Sequence, residues 1–146
     1  MAETIRVTGL REVQRKLYSY SQQIGDRVVL GALRQGAHLV KRAAQSNAPI
    51  GETGKLRRGI RVYKSKIHKG TKSGDMIGVY ISVASKKKGD PFYGRFQEDG
   101  WKAGKRQVPG KKFIDRAFIE KRAAAVDLIV RSANAGADLL ARKMGL

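Results

Sequence analysis

Apolar residues follow a helical period at the start of the chain. They recur at intervals of three and four in two successive stripes, Leu10, Val13, Leu17, Tyr20, Ile24 and then Val29, Leu33, Gly36, Ala37, Val40, Ala44. That spacing is typical of amphipathic helices. We therefore expect two N-terminal helices, separated at Gly25-Asp26 and preceded by a short strand or arm at Ile5 and Val7. The second helix ends before Pro49, because proline has no backbone N–H to continue it.

Alternation of apolar and polar residues replaces the helical period in the middle of the chain. Residues 56–67 and 76–84 each predict a strand, and the polar, glycine-containing stretch 68–74 predicts the turn between them. In the second strand Ile77, Val79, Ile81 and Val83 share one face. The pattern predicts a long antiparallel hairpin with an apolar side and a wetter side.

The helical period returns later. Residues 91–99 predict a short helix, with Phe92 or Tyr93 and Phe96 as apolar anchors. Residues 100–110 hold three glycines and a proline, which indicates an irregular loop. From Phe113 onward a long helical pattern follows, with a kink or division expected at residues 134–136. The chain is thus expected to form one α+β domain over residues 1–146, with N-terminal helices, a central hairpin and a long C-terminal helix or helices.

The net charge and its distribution along the chain indicate more about function than the rest of the composition does. The chain carries 31 Lys and Arg against 12 Asp and Glu, a net charge of +19. Residues 53–112, the cationic middle, hold 17 basic and four acidic residues and so a net +13. Such an excess repels itself unless an anionic partner offsets it. A solvated surface is the ordinary explanation of basic runs, but ordinary surfaces mix both signs.

We expect the basic residues of the hairpin and of the following loop to face DNA. They are Arg57, Arg58, Arg61, Lys64, Lys66, Lys69, Lys72, Lys86, Lys87 and Lys88. Side chains that neutralise phosphates release counterions and bind without reading bases. Aromatic residues are sparse among them, so base stacking is weakly supported.

Catalytic chemistry finds little support in the sequence. Cysteine is absent, and His38 and His68 have no metal-ligand spacing. Glu98-Asp99 is the adjacent acid pair of the cationic middle, and we expect Glu98 to pair with a nearby basic residue or to cap a turn before Gly100. The stretch 51–56 lacks the Lys-Ser/Thr ending of a phosphate-binding loop. We predict no catalytic residue, metal or cofactor, and no apolar run is long enough to span a membrane.

Four spaced elements resemble a known family. They are Val7-Thr8-Gly9-Leu10, Ala48-Pro49 with Thr53-Gly54-Lys55-Leu56-Arg57, Tyr93-Gly94-Arg95-Phe96-Gln97-Glu98-Asp99-Gly100, and Pro109-Gly110 with Phe113 and Ala117. In this order they resemble the phage tail-component family typified by gene product ten of coliphage Hong Kong 97, which includes minor-tail-protein-Z-like chains. The structural residues of these elements are Pro49, Thr53, Gly54, Leu56, Tyr93, Phe96, Glu98, Gly100, Pro109 and Phe113.

The resemblance implies a structural virion protein of a long-tailed phage. It implies a ring, hexameric in the family, at the head–tail junction as a tail-completion, tail-terminator or neck component, assembled in the host cytoplasm. Neighbouring head-completion or connector proteins, tail-tube proteins and phage DNA in the lumen are the implied partners.

Two other functions stay open at this stage. A free, sequence-independent nucleic-acid-binding protein, architectural or ribosome-associated, accounts for the composition almost equally well. A hydrolase or nuclease using Glu98 and Asp99 is a weaker third hypothesis.

Overall fold

The computed structural model describes Leu10, Val13 and residues 22–65 and 77–145. It has an α+β architecture of helices and two small antiparallel sheets. Its elements in chain order are α1 (Gln22–Asn47), α2 (Lys55–Gly59), β1 (Ile60–Lys64), β2 (Val79–Val83), α3 (Gly94–Asp99), β3 (Gly100–Ala103), β4 (Arg106–Pro109) and α4 (Phe113–Lys143). The sheets are the pairs β1–β2 and β3–β4. The arm at Ile5 and Val7, most of the first predicted helix and the turn at 68–74 lie outside the described residues.

Several predicted boundaries were wrong. Helix α1 begins at Gln22 and continues through Gly25-Asp26, where a break was expected. A helical glycine costs only about 1 kcal/mol relative to alanine, which burial of the rest of the helix offsets. Helix α4 likewise continues through Gly136 without the expected division.

The central segment also differs from its prediction. Helix α2 occupies the start of the expected first strand, so Arg57 and Arg58 lie on a helical turn and only residues 60–64 form β1. Leu56, Gly59 and Ile60 are all buried. Leu56 and Gly59 are three positions apart, as residues on one face of a helical turn are, and Ile60 follows directly as the first residue of β1.

The predicted irregular loop at 100–110 was the largest error, because these residues form the β3–β4 hairpin. Its register pairs Gly100 with Pro109, Trp101 with Val108, Lys102 with Gln107 and Ala103 with Arg106. Gly104 stands at the first position of the two-residue connection with φ 61°. Glycine at that position is the signature of a type II′ hairpin turn.

The chain divides into two compact units, residues 1–37, 64–80 and 123–146, and residues 38–63 and 81–122. In the first unit α1 and α4 pack antiparallel at close range. A Cβ on Gly36 would lie 2.5 Å from Cδ1 of Ile129, and one on Gly136 would lie 2.7 Å from Cγ1 of Val28. Gly36, a member of the predicted apolar stripe, thus lies where the two helices approach closely. The expected single domain over residues 1–146 stays a prediction.

Each unit buries its own apolar side chains. In the first, a cluster of Val13, Val29, Ala32, Leu33, Ile129 and Ala133 packs against Ile77 and Val79. Two residues of the predicted apolar face of the hairpin therefore contact the helices. The buried apolar residues of the second unit are Val40, Ala44, Ala48, Leu56, Ile60, Ala84, Phe113 and Ala117.

Candidate nucleic-acid interface

The β1–β2 sheet sets the direction of its basic side chains. Ala84 donates its backbone N–H to Gly59 (2.8 Å), and Ser65 donates to Gly78 (2.8 Å). These two bonds fix an antiparallel register in which Arg61 lies opposite Ser82 and Tyr63 opposite Tyr80. Arg61 is exposed. It lies on the wetter face, as the alternation predicted.

A basic loop, residues 85–90, follows β2 and begins and ends beside Gly59. Its first end is held by the Ala84–Gly59 hydrogen bond. At its second end, a Cβ on Gly59 would lie 2.5 Å from Cγ of Pro91. Within the loop Asp90 Oδ2 accepts the N–H of Lys87 at 2.8 Å. Lys86, Lys87 and Lys88 are exposed in this loop, whose two ends lie at Gly59.

Arg57 has a different role from the one expected of it. Its Nε donates to the backbone carbonyl of Ala48 at 3.2 Å, and its Nη2 donates to Ala48 at 3.2 Å and to Ser46 at 3.3 Å. The Gln45 side chain in turn donates to the carbonyl of Arg57 at 3.0 Å. The guanidinium thus satisfies one carbonyl in the last turn of α1 and one just after the helix, where a cation is favoured by the helix dipole.

The other basic candidates that the structure describes on α2 and β1 are at the surface. Arg58 is exposed and donates through Nη2 to the carbonyl of Thr53 at 2.7 Å. Lys64 is exposed at the end of β1. Lys66, Lys69 and Lys72 lie outside the described residues, so their DNA-facing role stays a prediction.

The element from Ala48 to Leu56 connects the two helices α1 and α2. Helix α1 ends at Asn47, just before Pro49. Gly54 takes φ 60° and ψ 13°, the left-handed conformation that glycine adopts without strain, and α2 begins at the next residue. Leu56 is then buried. Thr53 takes part through its carbonyl, which accepts the Arg58 hydrogen bond.

Glu98 is the buried charge of the second unit, and it caps α4. Its side chain is 8% exposed. Oε2 accepts the N–H of Ile114 at 2.9 Å, and Oε1 accepts the N–H of Asp115 at 3.0 Å. Helix α4 begins at Phe113, so these are orphan donors of its first turn. The residue before the helix is Lys112, which has no acceptor side chain to cap with, and Glu98 supplies the cap from 16 residues away. The expected ion pair or local turn at Glu98 was wrong.

Two glycines hold the neighbouring backbone against this cap. A Cβ on Gly110 would meet the carbonyl of Glu98 and lie 2.6 Å from the nitrogen of Gly100. Gly100 has φ 87°, and its own Cβ would meet the carbonyl of Val108. Lys111 and Lys112 donate backbone N–H groups to Gln97 (2.7 Å) and Glu98 (3.2 Å). We call Glu98, Gly100, Gly110 and the first turn of α4 the Glu98 clasp.

Asp99 lies beside the clasp and at the surface. It pairs with Lys112 at 3.2 Å and with Arg95 at 3.8 Å. The hydrogen bond to Asp99 raises the pKa of Lys112 above its ordinary value of 10.5. Since both oxygens of Glu98 bind backbone N–H groups and Asp99 pairs with cations, the two carboxylates do not form an acid–base pair.

The apolar anchors of these elements are only partly as predicted. Phe113 is completely buried at the start of α4. Phe96 is 49% exposed and Phe92 71% exposed, so neither is the anchor that was expected. Tyr93 is half-buried and stacks edge-on against Phe92, with ring centroids 5.8 Å apart. Close packing in this region comes instead from Gly94, whose Cβ would lie 2.9 Å from Cδ1 of Leu56.

Two features escaped the sequence analysis. The Glu98 cap left no local signal, because its partners are far along the chain. The β3–β4 hairpin did leave one, since Gly104-Lys105 separates two runs of extended residues, a spacing that favours a two-residue turn. The sequence analysis placed Lys102, Lys105 and Arg106 in an irregular loop, whereas the structure places them in this hairpin.

No group of three or more His, Cys, Asp or Glu side chains in the described ranges is placed to hold a metal ion. Among helices of the described residues, none combines the length and apolar content needed to cross a membrane.

The comparison with protein families gives one match. Residues 11–100 match the HK97-gp10-like family, described as "Bacteriophage HK97-gp10, putative tail-component". The match covers more than half of the chain. The chain belongs to the HK97-gp10-like family of phage tail components. Neither the comparison with curated proteins nor that with solved structures gives a match.

Two of the four elements that carry the resemblance lie within the residues that match the family. The matched region ends at Gly100 and so contains both the turn at Gly54 and the capping residue Glu98. A tail component is a structural protein of the virion, and in this one both elements join helices to their neighbours.

Proposed function

We propose that this tail component forms a ring at the head–tail junction of a long-tailed phage and joins tail to head as a tail-completion, terminator or neck protein. Head-completion or connector proteins on one side and tail-tube proteins on the other are its proposed neighbours. DNA passes through the lumen, along the basic residues of the sheet end. The observation that carries the proposal is a sheet that, within residues 22–65 and 77–145, has two strands and two open edges, in a family of tail components.

The open edges supply a way for copies to join. Among the described residues β1 pairs only with β2. In the register fixed above, residues 62 and 64 of β1 and 79, 81 and 83 of β2 direct their N–H and C=O groups away from the partner strand. The N–H of Ile60 is already bound to the carbonyl of Arg57. Unpaired strand edges are templates for further pairing. When the β1 edge of one copy meets the β2 edge of the next, the contact is head-to-tail and closes into a ring if the rotation permits.

The cationic surface supplies the affinity for DNA. Arg58, Arg61 and Lys86–Lys88 are exposed, and none forms an ion pair with the acidic residues of the described chain. Five uncompensated cations would bind a polyanion in a salt-dependent way, independent of sequence. We leave Arg57 out of this surface, because its guanidinium holds the end of α1.

The ring is tested by removing one edge N–H. Lys64→Pro deletes an outward-directed donor of β1 without touching the core, since Lys64 is exposed and edge strands tolerate proline. Native mass spectrometry is expected to show six copies of the 16.1 kDa chain, about 97 kDa, for the wild type and smaller species for Lys64→Pro.

Lys64→Ala is the matched control, because it removes the same charge and keeps the N–H. It is expected to assemble as the wild type does. A wild-type chain that stays monomeric at all concentrations contradicts the ring, and a Lys64→Ala variant that also fails to assemble contradicts the role of the strand edge.

A free nucleic-acid-binding protein is the second candidate. The unpaired Lys86–Lys88 loop favours it, since such a surface binds phosphates without any assembly. Under that function the purified chain would stay monomeric and still bind duplex DNA, which the same mass measurement separates from a ring.

A further inference from the structure

The β3–β4 hairpin stands out from the surface of the second unit. Residues 102–107 are exposed, whereas Trp101 is 38% exposed and Val108, opposite it, is partly covered. An isolated two-stranded hairpin is marginally stable in water. This one is held at its base, where Gly100 and Gly110 contact each other's backbone and Glu98 ties the same point to α4. The hairpin is therefore a rigidly mounted arm.

Its charges are of one sign and lie on both faces. The register places Trp101, Ala103, Arg106 and Val108 on one face and Lys102 and Gln107 on the other, with Lys105 in the turn. Residues 100–110 contain no acidic side chain. Within the described chain, Lys102, Lys105 and Arg106 form no ion pair. Three cations are thus held on a narrow ribbon with nothing to neutralise them.

We propose that the β3–β4 hairpin inserts into the major groove of duplex DNA and contacts phosphates on both walls. The major groove is about 12 Å wide and 8.5 Å deep and admits a two-stranded ribbon. The three steps from Gly100 to Ala103 span about 10 Å at the usual strand rise, which matches that depth. Arg106 on one face and Lys102 on the other reach opposite walls, and the small Ala103-Gly104 tip leaves room for a close approach.

Duplex DNA fits this arm better than a second copy of the chain. A copy with a net charge of +19 offers few acidic side chains to an arm that carries three cations. Because the backbone of the ribbon is already formed, binding orders only its side chains, which lowers the entropic cost of the phosphate contacts. The inference deepens the proposed function, from which it takes DNA as the partner, but its test uses the purified chain and does not depend on ring closure.

The test compares two triple variants of equal charge. The arm variant is Lys102→Gln, Lys105→Gln, Arg106→Gln. The matched control is Arg122→Gln, Arg142→Gln, Lys143→Gln, three exposed residues of α4. Fluorescence anisotropy with a 24-base-pair duplex of mixed sequence measures the dissociation constant from 50 to 200 mM salt. Three lost phosphate contacts lower the slope of log K against log salt by about 2.7, so the wild type loses about 40-fold more affinity over this range than the arm variant.

The control variant is expected to keep the wild-type slope of log K against log salt to within about 0.9, the contribution of one phosphate contact. An unchanged slope in the arm variant overturns the proposal, and so does an equal fall in both variants, which would reflect overall charge alone. An arm variant that binds DNA normally but changes the mass of the oligomer assigns the hairpin to contacts between copies and also overturns it.

Hydrogen exchange of the wild-type chain gives a second measurement that needs no substitution. Saturation with the duplex is expected to slow amide exchange in residues 101–108, while a single strand of the same length protects them less. Exchange in these residues that the duplex leaves unchanged contradicts insertion into the groove.

Discussion

Replacement of Glu98 by Gln tests the physical origin of the Glu98 clasp. The carboxylate accepts two backbone N–H groups at 2.9 and 3.0 Å from a position that is 8% exposed. Hydrogen bonds to a charged acceptor contribute about 1.5–3 kcal/mol each. Gln keeps one oxygen as a neutral acceptor and turns an NH₂ group toward the other donor. We expect the free energy of unfolding to fall by about 2–3 kcal/mol.

The loss is measurable by urea denaturation followed by circular dichroism, with thermal melts in parallel. For a chain of this size, about 2–3 kcal/mol lowers Tm by roughly 5–10 °C. Glu98→Asp keeps the charge but withdraws the carboxylate by one methylene group, so we expect a similar loss. Asp99→Asn is the control: its carboxylate is exposed and forms surface ion pairs, which contribute at most about 1 kcal/mol.

Two results would refute this reasoning. If Glu98→Gln unfolds within about 0.5 kcal/mol of the wild type, the cap does not stabilise α4. If Glu98→Asp is as stable as the wild type while Glu98→Gln is not, then negative charge near the helix N-terminus, and not the paired hydrogen bonds, is the cause.

Two further predictions concern single basic residues. Arg57→Met should lower the free energy of unfolding by about 1–2 kcal/mol, because carbonyls at the end of α1 lose their donor. Arg61→Met changes an exposed residue and should alter the free energy of unfolding by less than about 0.5 kcal/mol. Equal denaturation midpoints for the two variants would disprove the role of Arg57 in capping α1. Lys112 should titrate above pH 10.5 by ¹³C NMR and return toward that value in Asp99→Asn. Because the pKa of Lys112 is raised in the folded state, its stabilising contribution is present below pH 10.5 and lost as pH rises through the folded pKa. An unshifted titration midpoint of Lys112 in the wild type would contradict its pairing with Asp99.

Sequence was a good guide where local pattern and tertiary contacts agree. The stripe through Val29, Leu33 and Val40 predicted the buried side of α1, and Pro49 predicted where that helix ends. These features depend on neighbours within a few positions. The resemblance in four spaced elements also gave the family correctly.

Sequence failed where distant contacts decide the structure. The three glycines of residues 100–110 indicated an irregular loop, yet two of them are needed because backbones from either side of the hairpin meet there. Arg57 was grouped with the other basic residues, and nothing in its neighbours showed that it folds back onto Ala48. The roles of both Glu98 and Arg57 depend on partners nine or more positions away.

The basic loop at residues 85–90 leaves and returns to the same glycine, and this geometry has a practical consequence. Because its ends are already together, lengthening it adds only a small, logarithmic entropy of closure. A short epitope or fluorophore-binding peptide placed after Lys88 would leave the strand before it and Pro91 after it where they are. Because this loop also belongs to the proposed DNA-facing surface, such an insertion is expected to keep the fold and to lower the affinity for DNA.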